Sequence, residues 1–579
     1  MLTAESESRH TREAIEDEIR IFEERIGGLR RGEITEDQLR PFRLKHGIYG
    51  QRQAGFQMVR VKVPSGILNA VQLRTLAEIA ETYSTGRGHV TTRENVQFHF
   101  VKMENVPAIM RSLADAGLTT REACGNTVRN VTSCPLAGVC PTESFDVTPH
   151  ALATTRFFLR HPEFHDLPRK FKIAFSGCAN DGNCAAAGIH DIGLIAQVRG
   201  SNGTGKRGFK VLVGGGLGSL PTEAATLTDF LPEEELIPAM EAVLRVFKEH
   251  GNYKNKLKAR MKFVLRDKGI EEFRRLVAEK RKQVTTPAEV VKVPTPVQPP
   301  LVQLQPAPAS GNGASPAFER WQHHNVQPQR QPGFAVVWIK LPAGTVLTRQ
   351  FLGLAGLLDK HGLSAVRIAI SQDLVIPWTP LDRLQEIYKD LAALDLATPG
   401  ARTIADVTGC PGATTCNLGI TRSLTLAELL AQEFAEETDP EVHKVRIKIS
   451  GCPNSCGQHH IADIGLYGNA RRVGEKQAPY YQLMLGGKIS ADGVQFARQI
   501  VPLPAKRIPA ALKALLEFYK NDRTEGESFR TWVVRTSDEA VISKLQPFVA
   551  ATDDEDDLFI DWGDNETYSL KLGRGECAA

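Results

Sequence analysis

The sequence predicts an α+β protein that arose by internal duplication, because five blocks recur in the same order at a nearly constant spacing. NVTSCPLAGVC, which ends at Cys140, recurs as DVTGCPGATTC, which ends at Cys416, and FKIAFSGCAN around Cys178 recurs as VRIKISGCPN around Cys452. The offsets agree closely (416 − 140 = 276; 452 − 178 = 274). The other blocks are FQMVRVKVPSG and FAVVWIKLPAG, HDIGLIA and ADIGLYG, and FKVLVGGGLGS and YQLMLGGKIS. A repeat this long is a folding unit, not a solenoid repeat of about 20–50 residues.

The pattern within each half predicts two lobes. Each half opens with an alternating strand and a Pro-Ser-Gly or Pro-Ala-Gly turn, then a helix, a strand and a second helix. In the first half the second strand is predicted over HVTTRENVQFHFV. This order predicts a ferredoxin-like α+β lobe, and the cysteines fall in the second lobe of each half. Two halves of one plan predict a pseudo-two-fold molecule with its site where the halves meet.

At about 100–200 residues per domain, 579 residues predict several domains. Pro and Gly are concentrated between the two copies, which predicts an extended linker there. The predicted division is an N-terminal helical segment (1–50), a first ferredoxin-like half-repeat (51–120), a first cofactor-binding lobe with substrate-side basic residues (121–285), a Pro-rich linker (286–325), a second ferredoxin-like half-repeat (326–397) and a second cofactor-binding lobe with a C-terminal tail (398–579).

Composition is that of a globular protein, with 42% hydrophobic and 24% charged residues. No run of about 18 apolar residues predicts a membrane span, and the charged N-terminal residues exclude a secretory signal, so we expect a cytoplasmic protein. The net charge of +4 includes five consecutive acidic residues at 553–557, which leaves the rest of the chain near +9. No dense basic stripe indicates nucleic-acid binding. The positive body suits an anionic substrate or an acidic protein partner.

Four cysteines of the second copy have the spacing of an iron–sulfur site. They form Cys410-x5-Cys416 and, further on, Cys452-x3-Cys456, both in turns rich in Gly and Pro. Two close thiolate pairs can hold a cluster, and such turns let backbone amides approach the sulfurs. Zinc, which more often takes C-x2-C pairs, and a purely structural set of buried thiols are the alternatives.

With the duplication, this motif resembles the sulfite and nitrite reductases that contain sirohaem and a [4Fe–4S] cluster, over nearly the whole chain after about residue 40. The resemblance implies that Cys410, Cys416, Cys452 and Cys456 bind the cluster. It also implies that Cys456 bridges a cluster iron to the sirohaem iron. The implied fold is, in each half, a ferredoxin-like lobe plus a sirohaem- and Fe–S-binding lobe.

Four basic residues of the first copy match the substrate-contacting residues of this family, in the expected order. They are Arg93, Arg129, Lys170 and Lys172. Taken singly, each is more often a solvated or salt-bridged surface residue. Alternation places the two lysines on one face, where they can hold an anion and supply protons. We therefore expect substrate on the first half and cluster ligands on the second.

Sirohaem carries many carboxylates, and Asn130, Arg169 and Gln97 are candidates to contact them. The Gly-rich segments near Gly215 and Gly487 suggest backbone that approaches the macrocycle in both halves. Lys172 bears on the substrate, since sulfite reductases of this family usually have Lys at this position where nitrite reductases have Asn. Sulfite is therefore expected, with nitrite as the alternative.

No flavin or NADPH module is visible in the sequence, so electrons are expected from a separate ferredoxin or from a flavoprotein subunit. Two other functions remain open: a precorrin-ring oxygenase, whose relatives share the motif, and a non-enzymatic electron carrier. The first-half set Cys134, Cys140, Cys178 and Cys184 is interpreted as a decayed site, with a second cluster as the alternative. Cys577 is expected to be a free thiol.

Overall fold

The computed structural model describes residues 8–178, 184–200, 205–286, 315–552, 554–573 and 575–576. Most of the predicted linker, residues 287–314, and Cys577 lie outside these ranges. In the described chain, no helix is long and apolar enough to cross a membrane. The helices are α1 (Arg12–Arg30), α2 (Glu36–Lys45), α3 (Ala70–Tyr83), α4 (Val106–Asp115), α5 (Thr148–Phe158), α6 (Leu236–His250), α7 (Met261–Lys268), α8 (Ile270–Gln283), α9 (Pro316–Asn325), α10 (Thr348–His361), α11 (Leu384–Ala393), α12 (Ser423–Glu433), α13 (Pro440–His443), α14 (Ile508–Asp522), α15 (Phe529–Arg535) and α16 (Asp538–Val549).

The strands form four five-stranded sheets and one hairpin in the described chain. They are β1 (Ile48–Gly50), β2 (Phe56–Val61), β3 (Ile67–Leu68), β4 (Arg87–Val90), β5 (Val96–Lys102), β6 (Thr132–Ser133), β7 (Ile173–Ser176), β8 (Ile192–Arg199), β9 (Lys206–Val213), β10 (Ala225–Pro232), β11 (Val326–Pro328), β12 (Phe334–Ile339), β13 (Thr345–Leu347), β14 (Val366–Ile368), β15 (Leu374–Pro380), β16 (Thr408–Gly409), β17 (Ile447–Ser450), β18 (Ile464–Val473), β19 (Lys476–Leu485), β20 (Lys488–Ser490), β21 (Gly493–Gln495) and β22 (Arg498–Pro504).

The two ferredoxin-like lobes exchange an edge strand. The first sheet runs β1-β2-β5-β4-β13 and the second β11-β12-β15-β14-β3, so each ends in a strand of the other half. Helices α3 and α10 pack against each other across this pair, and the two lobes share one buried apolar core. The halves are therefore joined by backbone pairing as well as by packing, and their relative position is fixed.

The cysteine-bearing lobes each contain a mixed sheet. The orders are β10-β9-β8-β7-β6 and β16-β17-β18-β19-β22. In both, the first three strands in sequence pair in parallel and the rest are antiparallel. Parallel strands end at the same edge of a sheet, so the residues after β16 and β17 meet there. The same holds for β6 and β7.

Two sequence predictions differ from the structure. HVTTRENVQFHFV is not one strand but β4 and β5, joined by a turn that contains Arg93. The turn closes through the Thr91 carbonyl, which accepts from the Glu94 amide at 2.9 Å, and Glu94 has a positive φ of 54°. Residues 316–325, placed in the linker by their composition, form α9, which is anchored by the fully buried Trp321.

Candidate functional site

The four predicted cluster cysteines lie at one edge of the second mixed sheet. Cys410 directly follows β16, and Cys452 lies two residues beyond β17, the parallel neighbour of β16. Cys452 is buried, Cys410 is half-buried, and Cys416 and Cys456 are exposed. Adjacent parallel strands thus bring together two cysteine pairs that are far apart in the sequence.

The pKa values of these thiols report their proximity. Burial raises the pKa of Cys410 to about 12, and the charge of Cys456 contributes next. Burial and then Cys456 and Cys410 raise the pKa of Cys452. Burial and Cys456 raise the pKa of Cys416 in the same way. Four mutually repelling thiolates need a positive centre among them, which a cluster supplies.

Hydrogen-bond donors surround the sulfurs, as the sequence predicted for these turns. The Gly451 amide donates to Cys410 Sγ at 3.2 Å, and Asn454 Nδ2 donates to Cys452 Sγ at 3.4 Å. Glycine is required at Gly451, since a Cβ there would lie 2.6 Å from the Gly412 Cα. Such donors stabilise thiolate charge and orient the ligands.

The first half covers this cysteine loop. The Arg52 amide donates to the Thr415 carbonyl at 2.8 Å, and its guanidinium donates to the Gly419 carbonyl at 2.5 Å. Thr92 Oγ1 donates to the Cys456 carbonyl at 2.9 Å. The turn that carries Arg93 therefore lies directly against the cysteine predicted to bridge to sirohaem.

Arg93 extends from that turn into the first mixed sheet. Its Nη2 donates to the carbonyls of Asn130 at 2.7 Å and Ile173 at 2.9 Å. Its Nε is buried without a hydrogen-bond partner in the described structure. Burial lowers the pKa of Arg93 to about 9, which still leaves it charged at neutral pH. The side chain joins the turn to β7 and retains an unused N–H donor.

Lys172 lies among other cations. Phe171 between the two lysines is buried while Lys170 and Lys172 are half-buried, so the lysines share a face. Burial, followed by the charges of Arg260, Arg93 and Lys170, holds the pKa of Lys172 well below its usual range. A site in which cations destabilise one another favours an anion.

Sequence reasoning missed Arg260 and its partner Asp191. Asp191 is fully buried and accepts from Arg260 Nη2 at 2.9 Å and from the Lys172 amide at 2.8 Å. The second half repeats this arrangement, with Asp463 accepting from the Arg446 amide and from Arg530. One signal was available in the sequence. Arg260 follows Asp191 by 69 residues and Arg530 follows Asp463 by 67.

Two other predicted residues hold the first half together. Arg129 is buried and donates to the carbonyls of Gly125 at 2.9 Å and Ala123 at 3.1 Å. Asn130 is fully buried, and its Nδ2 donates to carbonyls of Val63 and of the Arg93 turn. The Asn130 contacts fix the Arg93 turn. Direct contact of Arg129 with substrate and of Asn130 with sirohaem stay predictions.

Gln97 and Arg169 lie on different elements of the first half. Gln97 is buried on β5, and its side-chain oxygen, with the amide oriented to satisfy both partners, accepts from Arg60 Nε at 2.8 Å. Arg169 is half-buried and directly precedes the Lys170–Lys172 segment. Their roles as sirohaem contacts also stay predictions.

At one position in each Gly-rich segment, the backbone of the same chain requires glycine, and the predicted approach of these segments to the macrocycle stays a prediction. A Cβ at Gly215 would lie 2.6 Å from the Gly188 carbonyl, and one at Gly487 would lie 2.5 Å from the His460 carbonyl. In each half, the close approach is therefore to backbone of the same chain. The repeat in these glycines reflects the repeated fold.

The family model "Nitrite and sulphite reductase 4Fe-4S domain" matches residues 124–285 and 400–547. The model "Nitrite/Sulfite reductase ferredoxin-like half domain" matches residues 49–116 and 327–394. The chain belongs to the nitrite and sulfite reductase family. The predicted resemblance and the duplicated α+β fold are thereby confirmed.

Individual members of this reductase family match over most of their length. An assimilatory ferredoxin-dependent nitrite reductase of Haloferax mediterranei is 30% identical over 86% of this chain and 86% of its own. A sulfite reductase [ferredoxin] of Mycobacterium tuberculosis is 30% identical over 85% and 88%. The solved NirA protein of M. tuberculosis superposes with a TM-score of 0.75 at 28% identity, covering 88% of this chain and 92% of that one.

Membership of the nitrite and sulfite reductase family implies a [4Fe–4S] cluster and a sirohaem. The structure fits both groups. The four thiols with their amide donors suit the cluster, and the buried, unpartnered Arg93 Nε beside the cationic lysines suits an anionic macrocycle and its anionic ligand. In the described chain, no three His, Cys, Asp or Glu side chains are placed to hold a metal ion.

Proposed function

We propose that this reductase converts sulfite to sulfide with six electrons from reduced ferredoxin, in the cytoplasm. The observation that carries the proposal is a group of four cations in the first half: Arg93, Lys170, Lys172 and Arg260. The turn that carries Arg93 also contacts the backbone of Cys456. Sulfite reductases that use ferredoxin are among its relatives. The positive body of the chain suits an acidic donor protein.

In this proposal, sirohaem and cluster supply electrons to the bound anion, with Cys410, Cys416, Cys452 and Cys456 as the cluster ligands. The cationic side chains bind the anion's oxygens and orient it. Each oxygen leaves as water and therefore needs protons. Lys172, whose pKa is depressed, releases a proton more readily than an exposed lysine.

Asp191 positions the proton donor. It binds the Lys172 amide and Arg260 at once, so it fixes the start of β7 relative to α7. One buried carboxylate among four cations leaves the site with a net positive charge, which the bound anionic substrate offsets. A non-enzymatic electron carrier has no need of such an anion site.

Nitrite reduction to ammonia is the second candidate, and the Haloferax mediterranei relative favours it. The two substrates differ in charge, since sulfite is a dianion and nitrite a monoanion. Two lysine ammonium groups on one face match the dianion better. On this ground sulfite is the preferred substrate.

The test is Lys172→Asn in the holoenzyme, assayed with reduced ferredoxin and with each anion. We expect kcat/KM for sulfite to fall at least tenfold relative to kcat/KM for nitrite. Lys444→Asn is the matched control, because Lys444 is the second-repeat counterpart of Lys170 and pairs with Glu441 on the surface. The assignment of sulfite is contradicted if the ratio of the two kcat/KM values is unchanged, or if kcat/KM falls more for nitrite than for sulfite.

A further inference from the structure

The four cysteines of the first repeat are gathered in two contacting pairs. Cys140 Sγ and Cys178 Sγ lie 3.8 Å apart. The thiols of Cys134 and Cys184 are within hydrogen-bonding reach of each other. Thr142 Oγ1 contacts both sulfurs of the first pair, at 3.4 and 3.5 Å. The four thiols therefore lie close together in the first cysteine-bearing lobe.

The backbone around this quartet repeats the backbone around the cluster cysteines. The Cys134 amide donates to the Phe175 carbonyl at 3.0 Å, as the Cys410 amide donates to the Ile449 carbonyl at 3.3 Å. The two loops also close alike, since the amides of Cys140 and Cys416 each donate to a carbonyl four residues earlier, at 2.9 Å.

Even the covering arginine is repeated. The Arg330 amide donates to the Val139 carbonyl at 2.8 Å, and its guanidinium donates to the Glu143 carbonyl at 2.8 Å. Arg52 makes the corresponding contacts over the cluster cysteines. Arg367 adds a second positive charge, donating to the carbonyls of Pro135 and Ala137 inside the Cys134–Cys140 loop. Arg367 is close enough to Cys134 for their charges to interact, whereas Arg330 lies 3.5 Å from the buried Glu143 carboxylate.

The spacing of the pairs indicates the kind of site. Two sulfurs bonded at about 2.3 Å to one tetrahedral metal ion are about 3.8 Å apart, which is the separation of Cys140 and Cys178. A single zinc ion needs three or four ligands around one point, whereas the closest contacts here join the thiols two by two. A [2Fe–2S] cluster needs two pairs, one for each iron.

We propose that Cys134, Cys140, Cys178 and Cys184 bind a second iron–sulfur cluster, of the [2Fe–2S] type. Cys140 and Cys178 hold one iron, and Cys134 and Cys184 hold the other. The Arg367 guanidinium offsets part of the negative charge of the cluster and its thiolates. This site is separate from the proposed anion site and does not depend on which anion is reduced.

The experiment measures iron, zinc, acid-labile sulfide and extracted sirohaem in anaerobically purified holoenzyme. It compares the wild type with the double variant Cys140→Ser/Cys178→Ser. Per sirohaem, we expect the wild type to carry about two irons and about two sulfides more than the variant. Cys124→Ser, a change at a buried first-half cysteine outside the quartet, is the matched control and should keep the wild-type content.

If the double variant does not fold, the iron content of the wild type still tests the proposal. With a [4Fe–4S] cluster and one sirohaem, it should contain about seven irons per sirohaem, whereas a single cluster gives about five. Five irons, zinc in place of the additional iron, or a Cys140–Cys178 disulfide in the anaerobic protein would each overturn the proposal.

Discussion

Anion affinity at the cationic group should weaken as the pH rises. Burial and the charges of Arg260, Arg93 and Lys170 lower the pKa of Lys172, while the carboxylate of Asp191 opposes them. A bound anion stabilises the protonated amine, so binding and protonation are linked. Affinity is therefore complete below the lowered pKa of the free protein and is lost progressively above it.

The size of this effect follows from the linkage. Where one proton must be taken up on binding, each pH unit above the pKa costs about 1.4 kcal/mol, or about tenfold in Kd. Lys262 follows Arg260 by two residues, and burial and Arg260 lower its pKa to about 8. Two titrating lysines can therefore contribute, and separate variants distinguish them.

The assay is a titration of the holoenzyme with nitrite, followed by its visible spectrum between pH 6 and 10. Nitrite remains a monoanion between pH 6 and 10, so any change of Kd with pH comes from titration of the protein. We expect log Kd to rise with pH in the wild type and equally in Lys444→Met. The slope should be smaller in Lys172→Met, because the contribution of Lys172 is lost, and Lys262→Met measures the separate contribution of Lys262. A flat wild-type profile, or a slope in Lys172→Met equal to that of the wild type, refutes the reasoning.

Two further predictions concern the cluster lobe. Gly457→Ala should prevent cluster binding, because its Cβ would lie 1.9 Å from the Ile449 carbonyl. The control Gly356→Ala, whose Cβ would meet open space, should bind the cluster as the wild type does. The iron and acid-labile sulfide contents of the two purified variants test this prediction. Arg523→Ala should destabilise the fold by about 1 kcal/mol, since Arg523 lowers the pKa of Asp439 to about 2. That stabilisation is present above the unfolded pKa of about 3.9 and is lost as the pH falls towards 2. The urea midpoints of Arg523→Ala and the wild type should therefore converge in acid. A difference between the midpoints that stays constant with pH would contradict this prediction.

The duplication made most of the fold predictable. Repeated blocks located both mixed sheets, and the spacing of Cys410, Cys416, Cys452 and Cys456 placed four thiols at one sheet edge. Parallel strands explain why this works. Residues that follow neighbouring parallel strands meet at one edge even when about 40 residues separate them.

The exchange of edge strands was not predictable. β3 and β13 have two and three residues, which is too short for an alternating pattern. Their pairing across the halves is set by the tertiary fold. The Arg93 turn was missed for a related reason, because its central residue Glu94 adopts a positive φ that tertiary contacts hold in place. Its carboxylate accepts from the Ser133 amide at 3.2 Å.

A duplicated fold of this kind creates two composite sites, and the structure shows why one of them suits an anion. In the second half, the equivalent turn is anchored by Gln372, whose Oε1 accepts from the Gly409 amide at 2.8 Å, just as Glu94 anchors the first. The next residue there is Asp373, whose pKa is raised by burial and by Asp406. A buried acidic pair suits an anion less well than the cationic group around Arg93, which supports placing the proposed anion site on the side where Arg93 meets Cys456. The opposite side holds the cysteine quartet, for which we propose a separate role.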